Sequence, residues 1–254
     1  MDKVIKGLHI SGEDLNPLKE FTAARIAIGR RGVSIPTSRS LEFNLAHAHA
    51  RDAVYSKLDV AGLTGQLKAF GISVLRLHSK AEYREQYLQR PDYGRALNSL
   101  SAEELTTYAG DNDVAMVVAD GLSAEAVNEN TVPLLNVLIP LLTSVKIKIA
   151  PVCLVEQGRV AIGDEIGGLL KAKLIVMLIG ERPGLSAADS MGAYITYNPQ
   201  PGLTDEARNC ISNIRPQGLT HKPAAEKIFY IISEAFKRKL SGVGLKDNAG
   251  SLDQ

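Results

Sequence analysis

Acidic and arginine side chains follow three apolar runs of the sequence, in the segments ADGLSA, EQGRVAIGDEIG and GERPGL. Each segment also contains glycine, which lets a backbone approach a ligand closely. If the apolar runs are strands of one open α/β sheet, these segments lie where such sheets bind ligands. We expect the candidate side chains to share one rim; they are Asp120, Glu156, Arg159, Glu181 and Arg182. The same residue types are also common in turns and helix caps, and that plainer interpretation stays open.

The usual motifs of nucleotide binding and hydrolytic catalysis do not occur in this sequence. No G-x-G-x-x-G follows an apolar run, and neither G-x-x-x-x-G-K-[ST] nor G-x-S-x-G is found. His47 and His49 are two residues apart on a predicted helix and point to different faces, while Cys153 and Cys210 form no C-x-x-C motif. We therefore assign neither a catalytic residue nor a metal site. A stand-alone nucleotide-dependent α/β enzyme remains the alternative hypothesis.

Apolar runs that alternate with helical patterns set the expected fold. Four runs are typical of buried strands and a fifth is a candidate; they are 72–78, 114–119, 149–156, 173–180 and 193–197. Alternation of this kind implies right-handed crossovers and a mostly parallel sheet with helices on both faces. The sequence therefore predicts an α/β, Rossmann-like, doubly wound domain over residues 61–254, preceded by an arm and a helix over residues 1–60.

Several helices and one long connection complete this expectation. A helix is predicted from about Ser38, with an apolar stripe formed by Leu41, Leu45, Ala48 and Val54. A second helix is predicted to begin after Ser123 and to be divided in two at Pro133. A third helix is predicted over about 222–240. Between 180 and 219 we expect a long, ordered connection that forms a binding-site wall or a subunit contact. Within it, Ser212 and Asn213 are expected to bond locally to the backbone.

Composition limits the classes of protein that fit. The chain has 254 residues, 45% hydrophobic and 22% charged, which is typical of a globular protein. A net charge of +1 gives no overall basic field for nucleic acid. The longest apolar stretches contain prolines and are too short for a membrane span, and the two cysteines fit a reducing cytosol. We therefore expect no nucleic-acid partner, no membrane partner and a cytoplasmic location.

Seven segments in series resemble the small subunits of ethanolamine ammonia-lyase. They are ARIAIGRRGVSIPT, LAHAHARDAV, RPDYGRAL, VVADGLSA, GRVAIGDEIG, GERPGL and RNCISNIRPQGL. The resemblance runs from about Thr22 to Gly242, in the family's order and with similar spacing. It implies a bacterial ammonia-lyase, a carbon–nitrogen lyase that converts ethanolamine to acetaldehyde and ammonia with adenosylcobalamin. It also implies a TIM-barrel large subunit that carries the chemistry, so this chain would not be catalytic alone.

The resemblance further implies the residues that touch the cofactor. Family contacts fall at the Val of GRV, the Glu of GERPGL and the Cys of CISNI, which are Val160, Glu181 and Cys210 here. It implies a hetero-oligomer of six large and six small subunits, associated with the ethanolamine-utilisation microcompartment. Corrinoid proteins that replace the cofactor's own base use D-x-H-x-x-G, and no such string occurs here. We therefore expect the cofactor to bind with its base still on cobalt.

Overall fold

The computed structural model describes residues 16–22 and 24–246. Within them, a six-stranded sheet has the order β1-β3-β2-β4-β5-β6, where the strands are β1 Val74–His78, β2 Asn112–Ala119, β3 Val152–Glu156, β4 Ala172–Gly180, β5 Met191–Tyr197 and β6 Asn209–Ile214. The first four strands run parallel, while β5 and β6 extend the sheet in antiparallel fashion. The predicted α/β, Rossmann-like, mostly parallel sheet is confirmed.

Seven α-helices accompany the sheet in the described part of the chain. They are α1 Thr37–Tyr55, α2 Val60–Lys68, α3 Arg84–Gln89, α4 Ser99–Thr106, α5 Ala124–Ser144, α6 Ile162–Leu169 and α7 His221–Arg238. One apolar core joins α2, α5 and α7 to one face of the sheet, and a second core joins α4 and α6 to the other. Strands β2 and β4 are buried on both faces, which explains why their sequences are apolar without alternation.

The loop after β2 leads to α5 on one face, whereas the loop after β3 leads to α6 on the opposite face. Neighbouring parallel strands whose connections diverge in this way leave a gap beyond their carboxyl ends. Gly121 in the first loop has φ +56, and a Cβ there would meet the Gly180 carbonyl oxygen at 2.3 Å. Glycine is therefore required where the loop after β2 crosses the end of β4.

The prediction that Pro133 divides the second helix is wrong. Helix α5 runs unbroken from Ala124 to Ser144 and contains both Pro133 and Pro140. Both prolines are exposed, on the side of the helix that faces away from the core. A proline releases the carbonyl four residues earlier from its helical bond. On this side water can hydrogen-bond to the released carbonyl. The packing of the buried face therefore suffices to keep the helix continuous.

The apolar stripe expected on the N-terminal helix lies outside this chain's own core. Helix α1 forms close to the predicted start, but Leu41 is 62% exposed and Leu45 is 58% exposed. Ala53 is its only buried residue. The helical period was predicted correctly, but the part of the chain that the structure describes does not cover the first half of the stripe.

The connection between 180 and 219 contains more regular structure than the sequence predicts. The candidate strand at 193–197 is confirmed as β5, but residues 209–214 form a further strand, β6, at the edge of the sheet. The prediction of local bonds for Ser212 is also wrong, since its hydroxyl donates to Glu181, 31 residues earlier. Strand pairing has replaced the expected loop.

A buried ion pair anchors the segment before β6 to α6. Arg208 donates through Nη1 and Nη2 to the two carboxylate oxygens of Asp164, each at 2.8 Å. Their side chains are 2% and 3% exposed. Two parallel bonds of this kind fix both distance and orientation.

We predict that Arg208→Met lowers the free energy of unfolding by about 3–5 kcal/mol, because the Asp164 carboxyl group then stays buried without its partner. Urea denaturation followed by circular dichroism measures the change. Arg90→Met is the matched control, since its pair with Asp92 is 53% and 59% exposed and should leave stability nearly unchanged. Equal effects of the two variants would contradict a structural role for the buried pair.

Candidate binding crevice at the strand ends

A cavity of about 380 Å³ opens at the carboxyl ends of β2, β3 and β4, as the topology predicts. Its size is at the low end for a small-molecule site, so it can enclose only part of a large ligand. The lining residues come from the end of β4, from the loops after these strands, from α3 and from β5; they are Tyr87, Gly121, Leu122, Arg159, Val160, Ile179, Gly180, Glu181, Arg182 and Tyr194. Four residues singled out from the sequence are among them: Arg159, Val160, Glu181 and Arg182.

Backbone and side-chain hydrogen bonds hold Glu181 in place. Its backbone N–H donates to the Ser190 carbonyl at 2.9 Å, one position beyond the last pair of β4 and β5. Its carboxylate accepts from the hydroxyls of Ser190 and Ser212 and from the Asn213 N–H at 3.3 Å. A carboxylate has about four acceptor positions. Three are occupied here, so one remains, on the Oε1 atom that Ser212 contacts.

A glycine on the neighbouring strand makes room for this carboxylate. A Cβ on Gly192 would lie 2.9 Å from Glu181 Oε1 and 3.3 Å from Glu181 Cγ. Such an approach is too close, so any other residue would push the carboxylate out of its position. The bare backbone of β5 at this point is therefore part of the site.

Val160 forms the apolar wall of the crevice. It lies in the turn between β3 and α6, is partly buried, and packs against the second apolar core. Because its side chain has no polar atom, it offers a ligand only shape and van der Waals contact.

Cys210 lies beside the crevice but outside its lining. It pairs with Tyr194 across β5 and β6. Burial raises the pKa of both groups above their ordinary values. The thiol is therefore neutral near pH 7, and it can contact a ligand that extends past Tyr194 along the exposed face of β6.

Asp120 does not line the crevice, although the sequence suggested that it would. It is 3% exposed and accepts from the N–H groups of Gln157 and Gly158 at 2.8 and 3.0 Å. These bonds tie the end of β2 to the loop after β3. The fifth candidate, Glu156, ends β3 and is not among the residues that line the cavity.

Two residues of the site region, Tyr87 and Arg84, were missed by sequence reasoning. Tyr87 is 1% exposed, and the guanidinium groups of Arg84 and Arg159 lie over its ring, 4.7 and 4.4 Å from the ring centre. Burial is the main cause that raises the Tyr87 pKa to about 12, so its hydroxyl stays protonated and donates to the Gly158 carbonyl. No sequence pattern marks Tyr87, because AEYREQYLQR fits an ordinary surface helix equally well.

Two further features concern the described residues as a whole. No group of three or more His, Cys, Asp or Glu side chains is arranged to hold a metal ion in residues 16–22 and 24–246. Over the same residues, no helix combines the length and apolar character that crossing a membrane requires.

The sheet and the crevice beyond its strand ends define a Rossmann-like α/β protein with a candidate ligand site. The family model described as the ethanolamine ammonia-lyase light chain matches residues 12–246. An ethanolamine ammonia-lyase small subunit of Pseudomonas fluorescens (strain Pf0-1) is 55% identical over 236 residues, 91% of this chain and 86% of that protein. One from Ralstonia nicotianae is 53% identical over 91% of this chain and 87% of its own length. The chain belongs to the ethanolamine ammonia-lyase light-chain family.

We predict that Asp120→Asn removes a pH dependence of folding. Desolvation by burial raises the Asp120 pKa from 3.8 to about 6, so the folded protein holds this proton over a range where the unfolded chain has lost it. Stability gained by protonation is thus complete below about pH 4 and is lost as pH rises through about 6. The loss is on the order of 3 kcal/mol across that window.

The asparagine variant should be less stable overall, because its amide presents one N–H group to a backbone donor. Its stability should nevertheless change less between pH 4 and 6 than that of the parent protein. Urea midpoints at several pH values measure this, with the exposed Asp52→Asn as control. A slope unchanged by Asp120→Asn would show that another group titrates.

Proposed function

We propose that this chain is the small subunit of ethanolamine ammonia-lyase, the enzyme that converts ethanolamine to acetaldehyde and ammonia. Membership of the light-chain family supports this function. The observation that carries it in the structure is the crevice, where Val160 and Glu181 share one cavity at the strand ends and Cys210 lies next to it. In this proposal the arm and helix of residues 1–60 serve assembly, and the Rossmann-like domain of residues 61–254 contacts the ligand.

The cofactor proposed for the crevice is adenosylcobalamin. When bound, it supplies radical chemistry through homolytic cleavage of its carbon–cobalt bond. The residues present fit such a group. An apolar wall at Val160 suits the corrin edge, and the free acceptor position on Glu181 suits an amide N–H donor. The neutral Cys210 thiol offers a weak contact further along β6.

In this proposal the chain's own residues bind and orient the cofactor but do not ligate its cobalt. The residues that line the described crevice include no histidine. His78 and His221 instead contact Ser79 and Asn130. This arrangement supports binding with the cofactor's own base retained on cobalt.

The partner in this proposal is a TIM-barrel large subunit, in an assembly of six large and six small subunits. Exposed apolar side chains on the arm and α1 support such docking; they are Phe21, Val33, Ile35, Leu41, Phe43 and Leu45. Arg25 of the arm donates to the Leu185 carbonyl, which links the arm to the loop after the crevice. One partner could therefore cover both. We propose a bacterial cytoplasmic location within the ethanolamine-utilisation microcompartment.

We predict that the purified chain alone does not deaminate ethanolamine. Glu181 is bonded to two hydroxyls and a backbone N–H, and Asp120 is sealed beneath the loop, so no base in the crevice is poised for proton transfer. An acetaldehyde assay with adenosylcobalamin and ethanolamine tests this, and the complex with the large subunit is the positive control. Cofactor-dependent turnover by the chain alone would refute the assignment of the chemistry to the partner.

We predict that Glu181→Ala in the assembled enzyme weakens cobalamin binding by about 5- to 150-fold. Removal of the carboxylate leaves a cofactor donor buried without an acceptor, which costs about 1–3 kcal/mol. Equilibrium dialysis with cyanocobalamin measures the affinity. Glu156→Ala is the matched control, because this carboxylate also ends a strand but does not line the cavity. Unchanged affinity for Glu181→Ala in an intact complex would reduce Glu181 to a structural carboxylate.

A further inference from the structure

Positive charge exceeds negative charge in the crevice. Arg159 and Arg182 both line it, and Glu181 is the one carboxylate among the lining residues. That carboxylate bonds to Ser190, Ser212 and Asn213, not to either guanidinium. In the part of the chain that the structure describes, neither arginine forms an ion pair. The crevice is therefore suited to a ligand that carries negative charge.

Arg159 is held by its flat face. Its guanidinium stacks on the buried ring of Tyr87 at 4.4 Å, and its Nη2 donates to the Tyr87 carbonyl at 2.9 Å. Gly94 allows this packing, since a Cβ there would lie 3.0 Å from both the Arg159 Cγ and the Tyr87 ring. Stacking fixes the plane of a guanidinium and leaves its edges available for hydrogen bonds.

One of those edges lacks an acceptor. The Arg159 Nε is buried and has no hydrogen-bond partner. The other arginine over the Tyr87 ring is Arg84, whose Nη2 is also buried and unpaired and whose Nη1 lies 3.8 Å from Asp120. Of these two arginines, Arg84 alone is within ion-pair distance of this buried carboxylate. Unsatisfied buried donors are rare in folded proteins and need an explanation such as a missing ligand.

We propose that Arg159 is an anion-binding residue of the crevice and that its ligand is a phosphodiester. This inference rests on the proposed function, because cobalamin carries one phosphodiester, in the loop that joins the corrin to its base. A guanidinium donates charge-assisted hydrogen bonds to phosphate oxygens. After Arg159 Nη2 has bonded to the Tyr87 carbonyl, Nε and Nη1 still carry N–H donors, on different edges of the guanidinium, and each can donate singly to a phosphate oxygen. Val160 follows directly in the chain, so corrin wall and anion site would be adjacent.

Arg182 has a different part in this site. It is exposed and follows Glu181 at the rim, where solvent and salt screen its charge. It adds to the positive potential of the crevice without a fixed geometry. Arg182→Gln therefore removes the same charge as Arg159→Gln but none of the stacked, buried donors, and it is the matched control.

The test compares two corrinoids in the assembled enzyme. Cyanocobalamin carries the phosphodiester, whereas dicyanocobinamide ends before it. Arg159→Gln should weaken cyanocobalamin binding by about 10- to 150-fold, the loss expected for a charge-assisted hydrogen bond. The same variant should change cobinamide binding by less than about twofold. Arg159→Lys keeps the charge without the planar fork and should show an intermediate loss, and Arg182→Gln a small loss that disappears in high salt.

The outcomes separate this inference from the function on which it depends. Equal losses for both corrinoids would overturn it and show that Arg159 only shapes the wall. If Arg159→Gln loses the large subunit on size-exclusion chromatography, the inference is also overturned, because Arg159 would then pair with a carboxylate of the partner and not with the phosphodiester. Inorganic phosphate should weaken cyanocobalamin binding by the parent enzyme but not cobinamide binding, and phosphate that binds without this competition counts against the site. If the parent complex binds neither corrinoid, the proposed function itself fails.

Discussion

The bond between the Asp120 carboxylate and the loop after β3 is the interaction on which the rest of the site depends. Strands β2 and β3 send their connections to opposite faces, so nothing in the topology alone fixes the distance between the two loops. Asp120 fixes it by accepting from Gln157 and Gly158 with both oxygens. Arg159 and Val160 follow directly after Gly158, so the same bonds also fix where these two residues lie. A buried carboxylate is costly by itself, and the paired N–H donors and Arg84 offset the cost.

The sequence predicted the parts of this architecture that a buried parallel strand imposes on its residues. Strands β2 and β4 had to be apolar throughout, and their ends had to face a crevice. Strand β6 escaped prediction because its pattern is irregular. Asn213 has φ 62, and the pairing with β5 shifts register between Met191 and Ala193. Ile211 and Ile214 therefore reach the same core although they are three residues apart, a spacing that does not indicate a strand.

Contacts between distant segments were equally inaccessible. Glu181 was a reasonable candidate from its place after β4, but its partner Ser212 becomes visible only once β6 pairs with β5. Tyr87 gave no signal, since a buried aromatic residue on a short helix looks the same whether it fills a core or supports two arginines. The exposed stripe of α1 is a related case. An apolar period predicts a helix with one apolar face, but it does not show whether the chain's own core covers that face.

In the crevice the Glu181 carboxylate is hydrogen-bonded within the chain, whereas the Arg159 guanidinium keeps an unpaired donor. This difference determines which ligand the crevice suits. The Glu181 carboxylate is almost saturated by donors of its own chain, so it can accept one more weak, neutral donor without a change in net charge. The Arg159 guanidinium is stacked and oriented but not neutralised. A purely neutral ligand would leave that donor unpaired, and a highly charged anion would be repelled by the fixed carboxylate next to it. A large ligand with many amides and one phosphodiester would satisfy both groups, and this charge pattern is the basis on which we propose a corrinoid over a free nucleotide.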